Sequence, residues 1–168
     1  MNIVTYPDPV LLKRTMPVDA VDDAMRATLR QMFELMYAQK GVGLAAPQVG
    51  LSLRLFVLNP SDTKQTERVL VNPRILKRRE RVRGDEGCLS FPGIYIEVER
   101  SRVIEIEARN ENFEPIRFEA RDFEARIIQH ELDHLDNVLL IHRMSDTDKI
   151  RLRGALRELE EKYRQPVA

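Results

Sequence analysis

Two histidines stand four residues apart in the segment His130-Glu-Leu-Asp-His134, so on any helix both imidazoles project from one face and can grip a single ion. Glu131 lies one position further round, near enough to take a proton from a water at such an ion without being a ligand. His130 and His134 also share the apolar stripe of Phe123 and Ile127. An unpaired imidazole pair on a buried stripe is costly, and a metal explains it. Two protein ligands fall short of the three plus water usual at catalytic zinc-type sites. The candidates for the third are a carboxylate, His142 and Cys88. Cys88 sits in Asp85-Glu-Gly-Cys-Leu-Ser90, a polar turn just ahead of strand residues, and is the only cysteine. A lone cysteine by itself reads as a small buried hydrophobe, but the two histidines shift that reading towards a ligand. His142 follows an expected helix end and reads as a surface residue. A thiolate with two imidazoles admits zinc, iron(II), cobalt(II) or nickel(II), and spacing does not choose among them.

The elements that must position these groups are visible in the periodicity. Residues 22–39 carry Met25, Leu29, Met32 and Met36 at helical spacing with Gly41 just beyond, which predicts an N-terminal amphipathic helix. Residues 41–50 read as a loop, 53–58 as a buried strand, and 69–71 as a short strand closed by a turn at Asn72-Pro73. Residues 94–109 alternate apolar and charged positions, predicting two half-buried strands, with 115–119 a third in one antiparallel sheet. The period then switches to helical over 122–136, with Asp122 as the expected cap. Residues 146–163 predict a C-terminal surface helix. The expected class is α+β, with antiparallel sheet packed around the central His-Glu-x-x-His helix.

The chain has 168 residues with no repeat or linker, so residues 1–168 are read as one catalytic domain. Its 27 Lys and Arg cancel its 27 Asp and Glu, which removes the global electrostatic case for DNA or for an acidic membrane surface. One cysteine excludes an internal disulfide, no secretory signal opens the chain, and no apolar run approaches the roughly 18 residues of a spanning helix. The expected location is cytoplasmic. The neutral total hides a local basic run at 74–83, for which a solvated hairpin face is favoured over an RNA contact.

Three segments together resemble the signature motifs of the peptide deformylase family, in that family's order: Gly41-Val-Gly-Leu-Ala-Ala-Pro-Gln48, Glu86-Gly-Cys-Leu-Ser90 and Gln129-His-Glu-Leu-Asp-His-Leu135. The resemblance runs from Tyr6-Pro-Asp-Pro9 to about Met144. It implies removal of the formyl group from N-formylmethionine at the start of nascent polypeptides, with release of formate. It further implies Cys88, His130 and His134 as metal ligands, Glu131 as general base, and Gln48 with the Leu89 backbone N–H as donors to the formyl oxygen. The implied ion is Fe2+, with Zn2+, Ni2+ or Co2+ as substitutes. Backbone near Gly43 and Gly87 would pair with an extended peptide. Val42, Glu86, Phe123, Arg126 and Ile127 would lie near the methionine side chain. The implied partners are nascent formyl-methionyl peptides and, transiently, the ribosome, through 74–83 or the terminal helix with Lys149, Arg151, Arg153 and Arg157. Asn137 stands where the family usually has glycine, and Asn is the next-best residue in a left-handed helix terminus. Asp133 is expected to pair with Arg100 and brace the ligand helix. Two alternatives are a His-Glu-x-x-His metallopeptidase, against which a cysteine ligand and the 41–48 motif argue, and a non-catalytic metal- or ribosome-binding paralogue.

Overall fold

The computed structural model describes residues 1–61 and 63–164. Five strands, β1 (Gly43–Ala45), β2 (Leu55–Leu58), β3 (Arg68–Cys88), β4 (Phe91–Arg109) and β5 (Pro115–Arg121), form one sheet in chain order, every pair antiparallel. Helix α1 (Asp23–Ala38) packs on one face and α2 (Asp122–Leu135) on the other. Strand β2 shows why this works. Its residues are all buried, and alternation sends Leu55 and Val57 towards Met32 and Met36 of α1, and Phe56 and Leu58 towards Ile128 and Leu132 of α2.

Asp22 caps α1 by accepting from the Met25 N–H at 2.8 Å, and its buried stripe is Leu29, Met32 and Met36. Helix α2 starts differently from expectation. Asp122 is its first residue, not its cap, because its backbone turns left-handed (φ 50°) and its carboxylate pairs with Arg102 at 2.7 Å. At the far end Asn137 adopts φ 60°, and the Val138 N–H returns to the Asp133 carbonyl at 2.8 Å, so Asn serves in the left-handed stop.

The long β3–β4 hairpin corrects two expectations. Asn72-Pro73 does not close a strand. Asn72 takes φ 51° in a bulge, its side chain bonds the Val18 N–H and carbonyl, and β3 runs on to Cys88. Residues 94–109 form one strand and not two, because Arg100 and Ser101 at its middle are buried and paired. The basic run lies along β3 opposite the acids of β4 and β5. Arg74 meets Glu107, Lys77 meets Glu105, Arg81 meets Glu99, Arg83 meets Glu97, and Arg79 meets Glu119. The run is thus a solvated hairpin face, with these cations paired across the sheet in a ladder.

The C-terminal segment divides into α3 (Leu140–Arg143), α4 (Asp146–Arg151) and α5 (Arg153–Arg164) in place of one helix over 146–163. Leu152, Leu156 and Leu159 pack against Phe91, Ile94, Ile96 and Val98 of β4, so this end closes a third apolar cluster. His142 is exposed and accepts from the Leu139 N–H, which ends its candidacy as a ligand. No helix among the described residues is long and apolar enough to cross a membrane.

Candidate active site

A cleft of about 600 Å³ opens between the loop before β1, the Cys88 end of the β3–β4 hairpin and α2. Val42, Gly43, Gln48, Glu86, Gly87, Cys88, Leu89, Phe123, Arg126, Ile127, His130 and Glu131 line it, and His134 lies buried beneath. The catalytic, substrate and metal positions that the resemblance implies therefore converge, although they come from separate parts of the chain.

At the floor, Cys88 Sγ lies 3.3 Å from His134 Nε2, and one ligand atom from each of Cys88, His130 and His134 falls within 4.8 Å of the others. The His130 and His134 rings stand 5.2 Å apart and nearly perpendicular. His130 Nδ1 bonds the Glu86 carboxylate at 2.9 Å, which leaves Nε2 for the cleft. Burial pushes His130 down, but hydrogen bonds to Cys88 and Glu86 outweigh it and hold its pKa well above normal. Burial lowers His134 well below its usual value, with the positive charge of His130 and Arg100 adding to the effect. A proton held between thiol and imidazole is one that an arriving cation displaces.

Glu131 is buried and its carboxyl is raised to about 7, chiefly by burial, with His130 opposing. Its Oε2 has no partner. Gly43 lies directly against it, where a Cβ would overlap the carboxylate. A soft sulfur and two imidazole nitrogens converging beside an orphaned carboxylate oxygen suit a borderline divalent cation, so the residues present fit a metal.

Glu86 is the hub of the surroundings. Burial alone would raise its pKa, but Arg100 and His130 hold it well below the usual carboxylate range. Arg100 donates to it through Nε (2.8 Å) and Nη2 (2.9 Å), and Arg126 through Nη1 (2.8 Å). Arg100 also reaches Asp133 at 2.7 Å, as expected, and Arg143 adds two bonds to Asp133 that the sequence did not suggest. Arg126 lines the cleft, while its guanidinium also holds the Val82, Gly84 and Val98 carbonyls of the hairpin.

Gln48 Oε1 accepts from the Ala45 N–H at 2.8 Å, so its Nε2 must face the cleft, 3.5 Å from Cys88 Sγ. Two residues at the cleft carry no signal in the sequence, Tyr95 in its lining and Ser90 beneath it. Tyr95 looked like one outward position on an alternating strand, yet its ring crosses Gly87, where a Cβ would sit 2.6 Å from it. Ser90 ended a quoted motif without an assigned task; it is fully buried and accepts from Gln48 Nε2 at 3.2 Å.

A family model described as polypeptide deformylase matches residues 1–150. The chain belongs to the peptide deformylase family. It is 43% identical over 159 residues to a peptide deformylase of Thermotoga sp. (strain RQ2), covering 94% of this chain and 95% of that one. It is 44% identical over 168 residues to peptide deformylase 1B, chloroplastic/mitochondrial, of Arabidopsis thaliana. That alignment covers 98% of this chain but spans only 62% of the longer plant protein. A crystal structure of peptide deformylase from Plasmodium falciparum superposes with a TM-score of 0.94 at 38% identity, covering 99% of each chain. The deformylase motifs fall on the cleft: the first at β1 and Gln48, the second at the end of β3, the third along α2.

Proposed function

We propose that this deformylase-family chain removes the N-formyl group from formylmethionine at the start of newly made polypeptides, yielding formate and a free amino terminus. The observation that carries the reading is the convergence of Cys88, His130 and His134 beside a buried Glu131 whose carboxyl titrates near 7. Cys88 Sγ and the Nε2 atoms of His130 and His134 would hold the ion, Fe2+ in this reading, with Zn2+, Ni2+ or Co2+ as substitutes. When bound, the ion supplies Lewis acidity that eases deprotonation of a water and polarises the formyl carbonyl.

Glu131 takes a proton from the attacking water and delivers it to the departing amine, a shuttle suited to a carboxyl poised near neutrality. The water oxygen bonds to the formyl carbon, and the carbon–nitrogen bond breaks. Gln48 Nε2 and the Leu89 backbone N–H donate to the formyl oxygen as it gains charge. The peptide would lie as an added strand. Strand β2 pairs only with Arg68–Val71 of β3, so the Glu86–Gly87 backbone has an edge facing Gly43 across the cleft. Val42, Glu86, Phe123, Arg126 and Ile127 would surround the methionine side chain.

A free thiol used as a ligand suits a reducing compartment, and we place the protein in the cytoplasm on that ground; the plant relative is named as chloroplastic/mitochondrial. A transient ribosome contact belongs to the terminal helix, because Arg74, Lys77, Arg79, Arg81 and Arg83 face acids and Arg78 bonds Gln129, while Arg153 and Arg157 of α5 are exposed. The deciding test is formate release from formyl-Met-Ala by anaerobically prepared, iron-loaded protein. Glu131→Ala should abolish release while metal stays bound, and no release by the unaltered protein overturns the reading.

A further inference from the structure

Ser90 occupies the second place in the two-residue turn Leu89–Ser90 that joins Cys88 to Phe91, and no part of it reaches solvent. Its hydroxyl oxygen accepts from Gln48 Nε2 at 3.2 Å, while Gln48 Oε1 accepts from the Ala45 N–H at 2.8 Å. The amide is thus held at both ends. A flipped amide would set its NH2 against the Ala45 N–H, donor against donor, so the orientation is fixed. One Nε2 hydrogen is committed to Ser90, and the other is left towards Cys88 Sγ and the cleft. The backbone beneath is stapled too. Alternate residues of the N-terminal segment bond the two carbonyls concerned, Val4 N–H to Gln48 at 2.7 Å and Tyr6 N–H to Ser90 at 2.9 Å.

We propose that Ser90 is a positioning residue, whose hydroxyl captures one hydrogen of the Gln48 amide and thereby aims the other at the formyl oxygen. This rests on the deformylase reading above. Ser90 never touches the substrate and acts only through Gln48. A donor must sit where charge develops, and displacement by a fraction of an ångström costs rate without weakening ground-state binding.

The test is a cycle of Ser90→Ala, Gln48→Ala and the double variant, assayed for formate release with metal content and melting temperature measured for each. Ser90→Ala should lower kcat by about ten- to a hundred-fold with KM changed less than about two-fold. In the Gln48→Ala background the same change should alter kcat by less than about two-fold, because the residue that it acts through is gone. An equal effect in both backgrounds, no effect, or an effect confined to KM overturns the proposal. A second readout needs neither turnover nor metal. In 15N-labelled, metal-free protein the two Gln48 amide protons should be well separated in shift and rigid, and Ser90→Ala should narrow that separation. Averaged, mobile Gln48 resonances in the unaltered chain overturn the proposal even if the variant fails to fold. Failure of the unaltered, iron-loaded protein to release formate strikes the deformylase reading itself, and the amide resonances then still decide whether the clamp exists.

Discussion

The Glu86 carboxylate accepts from His130 Nδ1 at 2.9 Å, and through that single contact a buried ion network reaches a candidate metal ligand. Glu86 and Arg100 are both almost wholly shielded, and Arg100 passes the connection to Asp133, which Arg143 holds from the other side. Desolvating such charges is expensive, so the network is poor evidence of added stability. Its use is orientation. A proton fixed on Nδ1 leaves Nε2 as the only ring nitrogen able to ligate.

Glu86→Gln should therefore lower metal affinity by about 10–100-fold, the usual cost of losing a partner behind a ligating histidine. Glu86→Ala should in addition destabilise the fold, by less than the about 3–5 kcal/mol of a fully broken buried pair, since Arg100 loses both bonds to Glu86 and keeps only Asp133. Metal titration and thermal unfolding read the two effects separately. Unchanged affinity in the Gln variant would show that His130 is oriented by packing alone.

Gly43→Ala tests the closeness of β1 to the general base. The new Cβ would overlap the Glu131 carboxylate, so the carboxyl must move. Since an ångström of misplacement can cost about a hundred-fold in rate, kcat should fall by about that factor while Cys88, His130 and His134 still bind metal. Full activity would mean that Glu131 has room to work elsewhere in the cleft.

The site was far more legible than the sheet. His130 and His134 are four apart on a helix whose period is fixed by covalent geometry, and scarce residue types made Cys88 stand out. Arg100 is a mixed case, since its bond to Asp133 was expected and its burial was not. A charged residue in an alternating strand reads as solvent-facing, and only its distant partners Glu86 and Asp133 explain its burial. The bulge at Asn72 was likewise hidden, because Asn-Pro signals a turn locally while the bonds that carry the strand onward go to Val18. Ser90 and Gln48 are 42 positions apart, beyond the reach of any periodicity.

The paired arginines of β3 lead to a prediction about polyanions. With each cation of 74–83 named above facing a carboxylate of β4 or β5, the hairpin presents little net charge to phosphates. The protein should elute from heparin below about 0.15 M salt, where exposed charges further apart than roughly 8 Å are screened from one another. The double change Glu97→Lys and Glu99→Lys should strengthen retention markedly. Tight retention that survives Arg153→Glu and Arg157→Glu in α5 would mean that the ladder opens in solution.

In the metal-free protein the contribution of Glu131 to stability should fall as pH rises. Its folded carboxyl titrates near 7, above its ordinary 4.5, so burial favours the neutral form. Below 4.5 the group is protonated folded or unfolded, and its burial carries no penalty. Between 4.5 and about 7 the unfolded chain gives up the proton first, and the stability is lost progressively. The displacement corresponds to about 3 kcal/mol once pH exceeds 7. Glu131→Gln keeps the shape without the ionisation, so the chelator-treated variant should exceed the unaltered protein in stability at pH 8 by up to that amount, with the two converging near pH 4.5. A bound cation favours the ionised carboxyl, and metal loading should remove most of the difference. Denaturant unfolding at several pH values, with and without metal, measures all of these. A difference that persists at pH 4.5 would trace the gain to packing instead of charge.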